Sequence, residues 1–386
     1  MLSVRYAIIY ILIGSLIIQL LRGKVHLFQV YAFFLPYFGV DFDLGVRFTF
    51  SQFLLLILNA IFFIQLAANS SSVNFKGFNK NVLVFLLYAF ISTIIISTYL
   101  IDFIHTSNPG FLRNEGRYIS QIIVYSLLFS IFYVIYNYIT DKQKIFSLIR
   151  YFLYGLIVLA FLGLAQQIFY VTFGIDITPL PAGGDEIRST GSFNYFGVPM
   201  IRVCSLAGEP KSFGMFLAIG IVILKVFSQL GIQIIKNAKI ISYFFIAMLI
   251  LTLSTSGFML LAIMWLTSEL ILRFFGILPK ISAATLFSGL FFVAMIFVFS
   301  EPLDNIINDR IFERDIANED FDGIVKNFLE DNPKWLIFGS GIGNIHNLAA
   351  PYIQEEQLHY MADNIFIAKS GYLRLISETG IISNSA

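Results

Sequence analysis

The stretch FSLIRYFLYGLIVLAFLGLAQQIFYVTF, residues Phe146–Phe173, decides the fold. Its only charged side chain is Arg150, near its start. A bilayer core of ~30 Å takes ~20 apolar residues of α-helix, because lipid offers backbone N–H and C=O groups no partner. This run is long enough to cross. Comparable runs lie at Phe48–Ala68, Val82–Ile101, Ile119–Tyr138, Phe213–Leu230 and Ile281–Ser300, with a shorter one at Tyr6–Leu21. Arg22, Lys24 and His26 follow Tyr6–Leu21, not a small-residue cleavage site, so it reads as a span rather than a signal peptide. Leu27–Val40 is short and contains Pro36; it either crosses or dips in and returns, and the side of Met1 depends on which.

Composition agrees. The chain is 58% hydrophobic and 13% charged, against about 45–50% apolar and about 25% charged in soluble domains. Its 386 residues would otherwise suggest two or three soluble domains. The expectation is one membrane-embedded unit over 1–386: an all-α, polytopic integral membrane protein of about 10–11 spans.

The run Ile240–Arg273 is too long for one span, and Ser254-Thr-Ser-Gly257 interrupts it. Lys236 and Lys239 precede it, and Arg273 and Lys280 close it. Cytoplasmic loops collect Lys and Arg, so both ends share a side and the run reads as a tight helical hairpin turning at Ser254–Gly257. Its arms are short for full spans, which places the turn below the outer surface. The loops with Lys76 and Lys80, with Lys142, Lys144 and Arg150, and with Lys236 and Lys239 then face the cytoplasm. Two large polar loops, 174–212 and 301–370, face outward. Lys225 and Glu269 sit toward helix ends, where long side chains snorkel.

Several classes fall away. A net charge of +1 suggests no nucleic-acid partner. Cys204 is the only cysteine, so there is no disulfide framework and no Cys/His zinc motif. No GxxxxGK[ST] is present, and Gly339-Ser-Gly-Ile-Gly343 lacks dinucleotide-binding spacing. No cofactor and no metal are expected.

The first outer loop ends Arg202-Val-Cys-Ser-Leu-Ala-Gly-Glu-Pro-Lys-Ser-Phe-Gly214. Pro210 suits a first helical turn, and Glu209 suits the adjacent N-cap beside the positive helix end. That pair reads equally as a plain helix start or as a placed carboxylate. In the second loop Arg310 and Arg314 are one turn apart and project from one face. Such a pair grips a diphosphate, although the same spacing also suits a solvated face paired to Asp309, Glu313 or Asp315. His346 and His359 are two of the chain's four histidines, and Asp363-Asn364 follows.

On these residues the chain resembles the O-antigen polymerase and O-antigen ligase superfamily of bacterial envelope glycosyltransferases. Arg202…Gly208-Glu209-Pro210 is similar to that family's Arg-to-Pro segment entering a helix, and Ser254–Gly257 to its Ser-rich turn. Gly339–Asn344 followed by Gly371-Tyr-Leu-Arg-Leu-Ile-Ser-Glu-Thr-Gly-Ile-Ile382 is similar to its closing signature. Ligase-type members place a His-Asn pair just before the last of these. Here Lys369-Ser-Gly371 stands there and His346-Asn347 lies upstream, which tilts the resemblance toward the polymerase branch.

The resemblance implies a multi-pass protein of the bacterial inner (cytoplasmic) membrane. It would join polyprenyl-diphosphate-linked oligosaccharide units at the outer face, alongside a flippase and a chain-length regulator. Cations would then stabilise the departing diphosphate, with Arg188, Arg202, Arg310 and Arg314 as candidates in place of a metal. A base would help the attacking hydroxyl lose its proton, with Glu209 first and His346 and Asp363 as alternatives. The competing readings are an O-antigen ligase acting on lipid A core, and a transporter or flippase of lipid-linked sugars.

Overall fold

The computed structural model describes residues 11–16, 18–20, 22–23, 25–39, 41–43, 47–68, 88, 91, 93–95, 130, 134–135, 138–139, 141–177, 180–181, 187–188, 192–195, 198–277, 321–341, 345–349, 352 and 376–380. The runs expected at Val82–Ile101, Ile119–Tyr138 and Ile281–Ser300 lie wholly or mostly outside them. The protein is mostly helical and carries three helices long and apolar enough to cross a membrane. It is not wholly α: three short two-stranded antiparallel ladders occur among the described residues, two of them within 174–212. The chain divides into two compact units, Met1–Gly77 with Leu127–Leu278, and Phe78–Ser126 with Pro279–Ala386.

Besides the helical residues 11–16 and 18–20, the helices of the first unit are α1 (Leu27–Phe34), α2 (Phe50–Ala68), α3 (Lys142–Phe173), α4 (Pro210–Gln229), α5 (Ala238–Thr252) and α6 (Thr255–Phe274). The strands are β1 (Asp41–Asp43), β2 (Arg47–Thr49), β3 (Leu180–Pro181), β4 (Ile187–Arg188), β5 (Ser192–Tyr195) and β6 (Val198–Ile201). Among the described elements α3 is the longest, 32 residues, or ~48 Å at 1.5 Å per residue. The Asp141 side chain caps its start by accepting from Lys144 N at 2.9 Å. Gly174 ends it at φ 68°, a left-handed position that glycine fills without strain.

α3 works as a ruler for the elements packed on it. Phe146 meets Phe227 near the end of α4, Leu156 meets Gly220, and Gly163 meets Phe213 near its start. The two helices are therefore antiparallel. Gly214 meets Gly257 and Ser254, and eleven residues further along α4 Lys225 pairs with Glu269, so α4 and α6 run parallel. The turn expected at Ser254–Gly257 is present, with Leu253 and Ser254 between α5 and α6 and the Ser254 hydroxyl accepting from Gly257 N at 3.1 Å. The arms do not form the expected tight hairpin. Each packs along α4 rather than along the other. Glycines explain why: a Cβ on Gly257 would lie 2.9 Å from the Gly214 backbone, so only bare backbones permit this approach.

The two basic loops expected to share a side meet directly, since Arg150 Nε donates to Ile234 O at 3.0 Å. This is the basic end; the α5–α6 turn lies at the opposite, far end. α1 has 8 residues, ~12 Å, too few to cross ~30 Å alone. Gln29 donates to Ser147 near the basic end, and Tyr37 donates to Gly155 O halfway along α3. Gly39 N then donates to Leu206 O at 3.0 Å.

In the second unit α7 (Phe321–Asp331), α8 (Pro333–Phe338) and α9 (Ile345–Ala349) enclose Ile324, Val325, Phe328, Leu329 and Ile345. Asn332 Nδ2 donates to Phe328 O and to Tyr352 Oη at 3.1 and 3.0 Å, closing α7.

Candidate functional site

Between β6 and α4 the chain runs from Arg202 to Glu209 without regular structure, yet most of it is buried. Ser205 Oγ donates to Leu159 O, and Gln166 on α3 meets Cys204 and Ser205. α3 continues seven residues past Gln166 to Phe173, ~10 Å. The segment is thus recessed below the end of α3, and exposed Ile168, Phe169 and Phe173 mark that last stretch as apolar.

Irregular backbone at such depth persists only where protein satisfies it. Val203 N donates to Leu251 O at 3.2 Å, and Ala207 N donates to Cys204 O at 3.1 Å. Gln166 Oε1 accepts from both Cys204 N at 3.2 Å and Ser205 N at 2.9 Å. Its Nε2 donates to Asp176 Oδ1 at 2.9 Å. One fully buried glutamine thereby replaces the ladder that the segment lacks.

Strain concentrates here. Ser205 (φ 52°) and Leu253 (φ 46°) are two of the three non-glycine residues at positive φ among the described residues. Each costs about 1–3 kcal/mol and persists because its surroundings over-determine it; such residues gather at functional sites.

Arg202 lies between them. Its Nε donates to Thr252 O at 3.3 Å and its Nη2 to Leu253 O at 3.2 Å. The guanidinium therefore caps the C-terminus of α5, where a cation is favoured by the negative helix end. Expected as a diphosphate ligand, Arg202 sits as the clamp of the α5–α6 turn. Glu209 occupies the N-cap of α4 with Pro210 in the first turn, as its sequence position suggests. Its side chain is exposed and makes no capping hydrogen bond, so the carboxylate is left for other work. Gly208 (φ 91°) precedes it and packs on Gly39, where an added Cβ would lie 2.5 Å from the Gly208 Cα.

The remaining candidates are placed less fully. Arg188 belongs to β4 and His346 to α9, but their side chains, and all of Arg310, Arg314 and Asp363, lie outside the described residues. Among the described residues no three His, Cys, Asp or Glu converge on a metal position.

Two features escape a reading by residue type. Gln166 and Gln167 look like a polar blemish in an apolar run; both are buried, and Gln167 has no partner for either amide atom. The Gly339-Ser-Gly341 turn is stitched to Ser377–Gly380, with Ser340 N donating to Ser377 O at 2.8 Å and Gly341 N to Glu378 O at 2.9 Å. Its glycines thus permit backbone contact, and these two N–H groups are spent on it. The Glu-x-Gly spacing at Glu378 was the available signal for this pairing, which leaves Glu378 itself buried.

At the basic end, Lys225 and Glu269 do not snorkel as expected. They pair with each other at 2.6 Å, with side chains 9% and 15% exposed, because each supplies the countercharge the other would otherwise seek in water. Arg273 Nη2 adds a second bridge to Glu269 at 2.9 Å. No family model, curated protein or solved structure matches the chain, so the reading of these sites rests on its own residues.

Proposed function

We propose that the chain is a glycosyltransferase of a bacterial cytoplasmic membrane, joining polyprenyl-diphosphate-linked oligosaccharide units into a surface polysaccharide at the outer face. The observation that carries this reading is the recessed Arg202–Glu209 segment. It is strained, fully propped by Gln166 and Leu251, and ends in a carboxylate that its own helix does not use. Such a placement suits chemistry at a membrane surface, where a lipid tail stays in the bilayer while the sugar enters a polar recess.

The step breaks the bond from sugar C1 to a diphosphate oxygen and forms one from C1 to an acceptor hydroxyl oxygen. The Glu209 carboxylate takes the hydroxyl proton. The electron pair leaves with the lipid diphosphate, whose charge arginine side chains stabilise, Arg188 being the candidate in the same unit as Glu209. Arg202 acts on the step indirectly, by fixing the turn beside it. The leaving group carries its own activation, so no nucleotide or cofactor is needed.

A transporter of the same lipids is less well supported. Transport sites place ionisable groups near the bilayer midplane. In α3 to α6 the charges stand toward the ends, and Lys225 and Glu269 neutralise each other.

The test is a gel of surface polysaccharide from cells with the gene deleted and then restored. Core capped with a single unit in the deletion strain supports the polymerase. Polymer that accumulates on its lipid carrier makes the protein a ligase instead. Failure of any unit to reach the outer leaflet makes it a transporter and removes the catalytic assignments.

A further inference from the structure

We propose that Gln167 binds the acceptor sugar through two neighbouring hydroxyls, at the level of Glu209. This rests on the enzyme reading above and adds a specificity-determining residue to it.

α3 turns one buried stripe inward, formed by Leu156, Leu159, Ala160, Gly163, Gln166 and Gln167. A Cβ on Gly163 would meet Val203 Cγ1 at 2.8 Å and Phe213 Cε1 at 3.1 Å. A residue four positions on lies on the same helix face, one turn further. Gln167 therefore stands beyond Val203 and Phe213, toward the far end. On the antiparallel α4, Phe213 N donates to Glu209 O at 3.0 Å, which sets Glu209 one turn beyond Phe213 in the same direction. The two residues thus share a level on neighbouring helices.

Gln167 is 5% exposed, and neither its Oε1 nor its Nε2 has a hydrogen-bond partner. Its neighbour Gln166 has both ends engaged. An unpaired buried amide is a standing cost that an apolar side chain of the same shape would avoid. The amide also specifies its ligand. It offers an acceptor and a donor side by side, so one sugar hydroxyl gives to Oε1 while the next receives from Nε2. An ionised phosphate, an acceptor only, would satisfy Nε2 and repel Oε1. The level shared with Glu209 assigns those hydroxyls to the acceptor, whose proton the carboxylate takes. Both amide atoms are closed off here, so binding proceeds with a local opening on the side of the exposed Glu209.

The experiment compares wild type with Gln167→Met, both purified in lipid nanodiscs. Melting temperature is measured alone and with added lipid-linked repeat units extracted from the deletion strain, and polymer formation is followed in parallel. The variant should melt at or above the wild-type temperature without substrate, because it loses an unpaired polar group. It should lose the substrate-induced rise, and its KM for the units should increase about tenfold or more. A lower melting temperature would show that the amide is structural and overturn the proposal. So would a substrate-induced rise and KM equal to wild type. If wild type polymerises and the variant polymerises equally, only this proposal falls; if wild type makes no polymer, the enzyme reading falls and takes this one with it.

Discussion

The two ends of the α3–α6 bundle treat charge in different ways. At the basic end Glu269 pairs with Lys225 at 2.6 Å and accepts from Gln229 at 3.0 Å on one oxygen, and meets Arg273 on the other at 2.9 Å, so its charges are balanced although Gln229 Oε1 is buried without a hydrogen-bond partner. Lys225 also lies 3.7 Å from the centre of the Trp265 ring. Two cations face one carboxylate, and the C-terminal ends of two parallel helices supply further negative potential. At the far end the backbone is strained at Ser205 and Leu253, one glutamine is spent on propping a loop, the next has no partner, and a carboxylate stands unused by its helix. A compensated cluster holds helices together. A strained segment that ends in a carboxylate its own helix does not use is held ready for something else.

Removing the countercharge should break the basic end most severely. Glu269→Leu leaves Lys225 and Arg273 confronting each other and should cost about 3 kcal/mol of stability, since losing one partner strands the buried charge of the others. Thermal melting in detergent reads this, and activity per folded molecule should stay at the wild-type level. A variant that melts like wild type would show that the cluster is not a lock.

Arg202→Lys sharpens the contrast from the other side. A single ammonium cannot fork onto Thr252 O and Leu253 O as the guanidinium does. The expected loss is about 1–2 kcal/mol in melting experiments, with polymer yield falling further than that loss explains. Equal losses in both would reduce Arg202 to a plain helix cap.

The smallest expected effect concerns His26, in the loop ahead of α1. Burial, and then the Lys144 charge, lower its pKa from the usual 6.5. The unfolded chain therefore binds this proton more readily than the folded one. Its stabilising contribution is full above the unfolded value and is lost as pH falls below that and through the lowered folded value. His26→Asn should flatten melting temperature against pH in that acidic window, and an unchanged profile would refute the assignment.

Much of the scaffold was legible. Pro210 after Glu209 announced the start of α4, and Ser254 announced the turn, because caps and breakers act locally. The limit came with long-range partners. Lys225 and Glu269 are 44 positions apart, so their pairing depends on α4 and α6 running parallel, which two glycines permit and no periodicity reveals. The same limit hid where Arg202 docks, because its partners are backbone carbonyls and leave no trace in residue type. Gln166 and Gln167 carry no signal in the sequence because an apolar run tolerates a polar pair; only burial separates a working amide from an incidental one.

The most direct measurement restores the deletion strain with Glu209→Gln and examines surface polysaccharide on a gel, with protein level in the membrane as the control. The account predicts normal protein in the membrane and polymer reduced by about a hundredfold or more, the usual contribution of a general base. Wild-type polymer from that strain would contradict it, because the carboxylate that distinguishes the far end would then have no part in the chemistry.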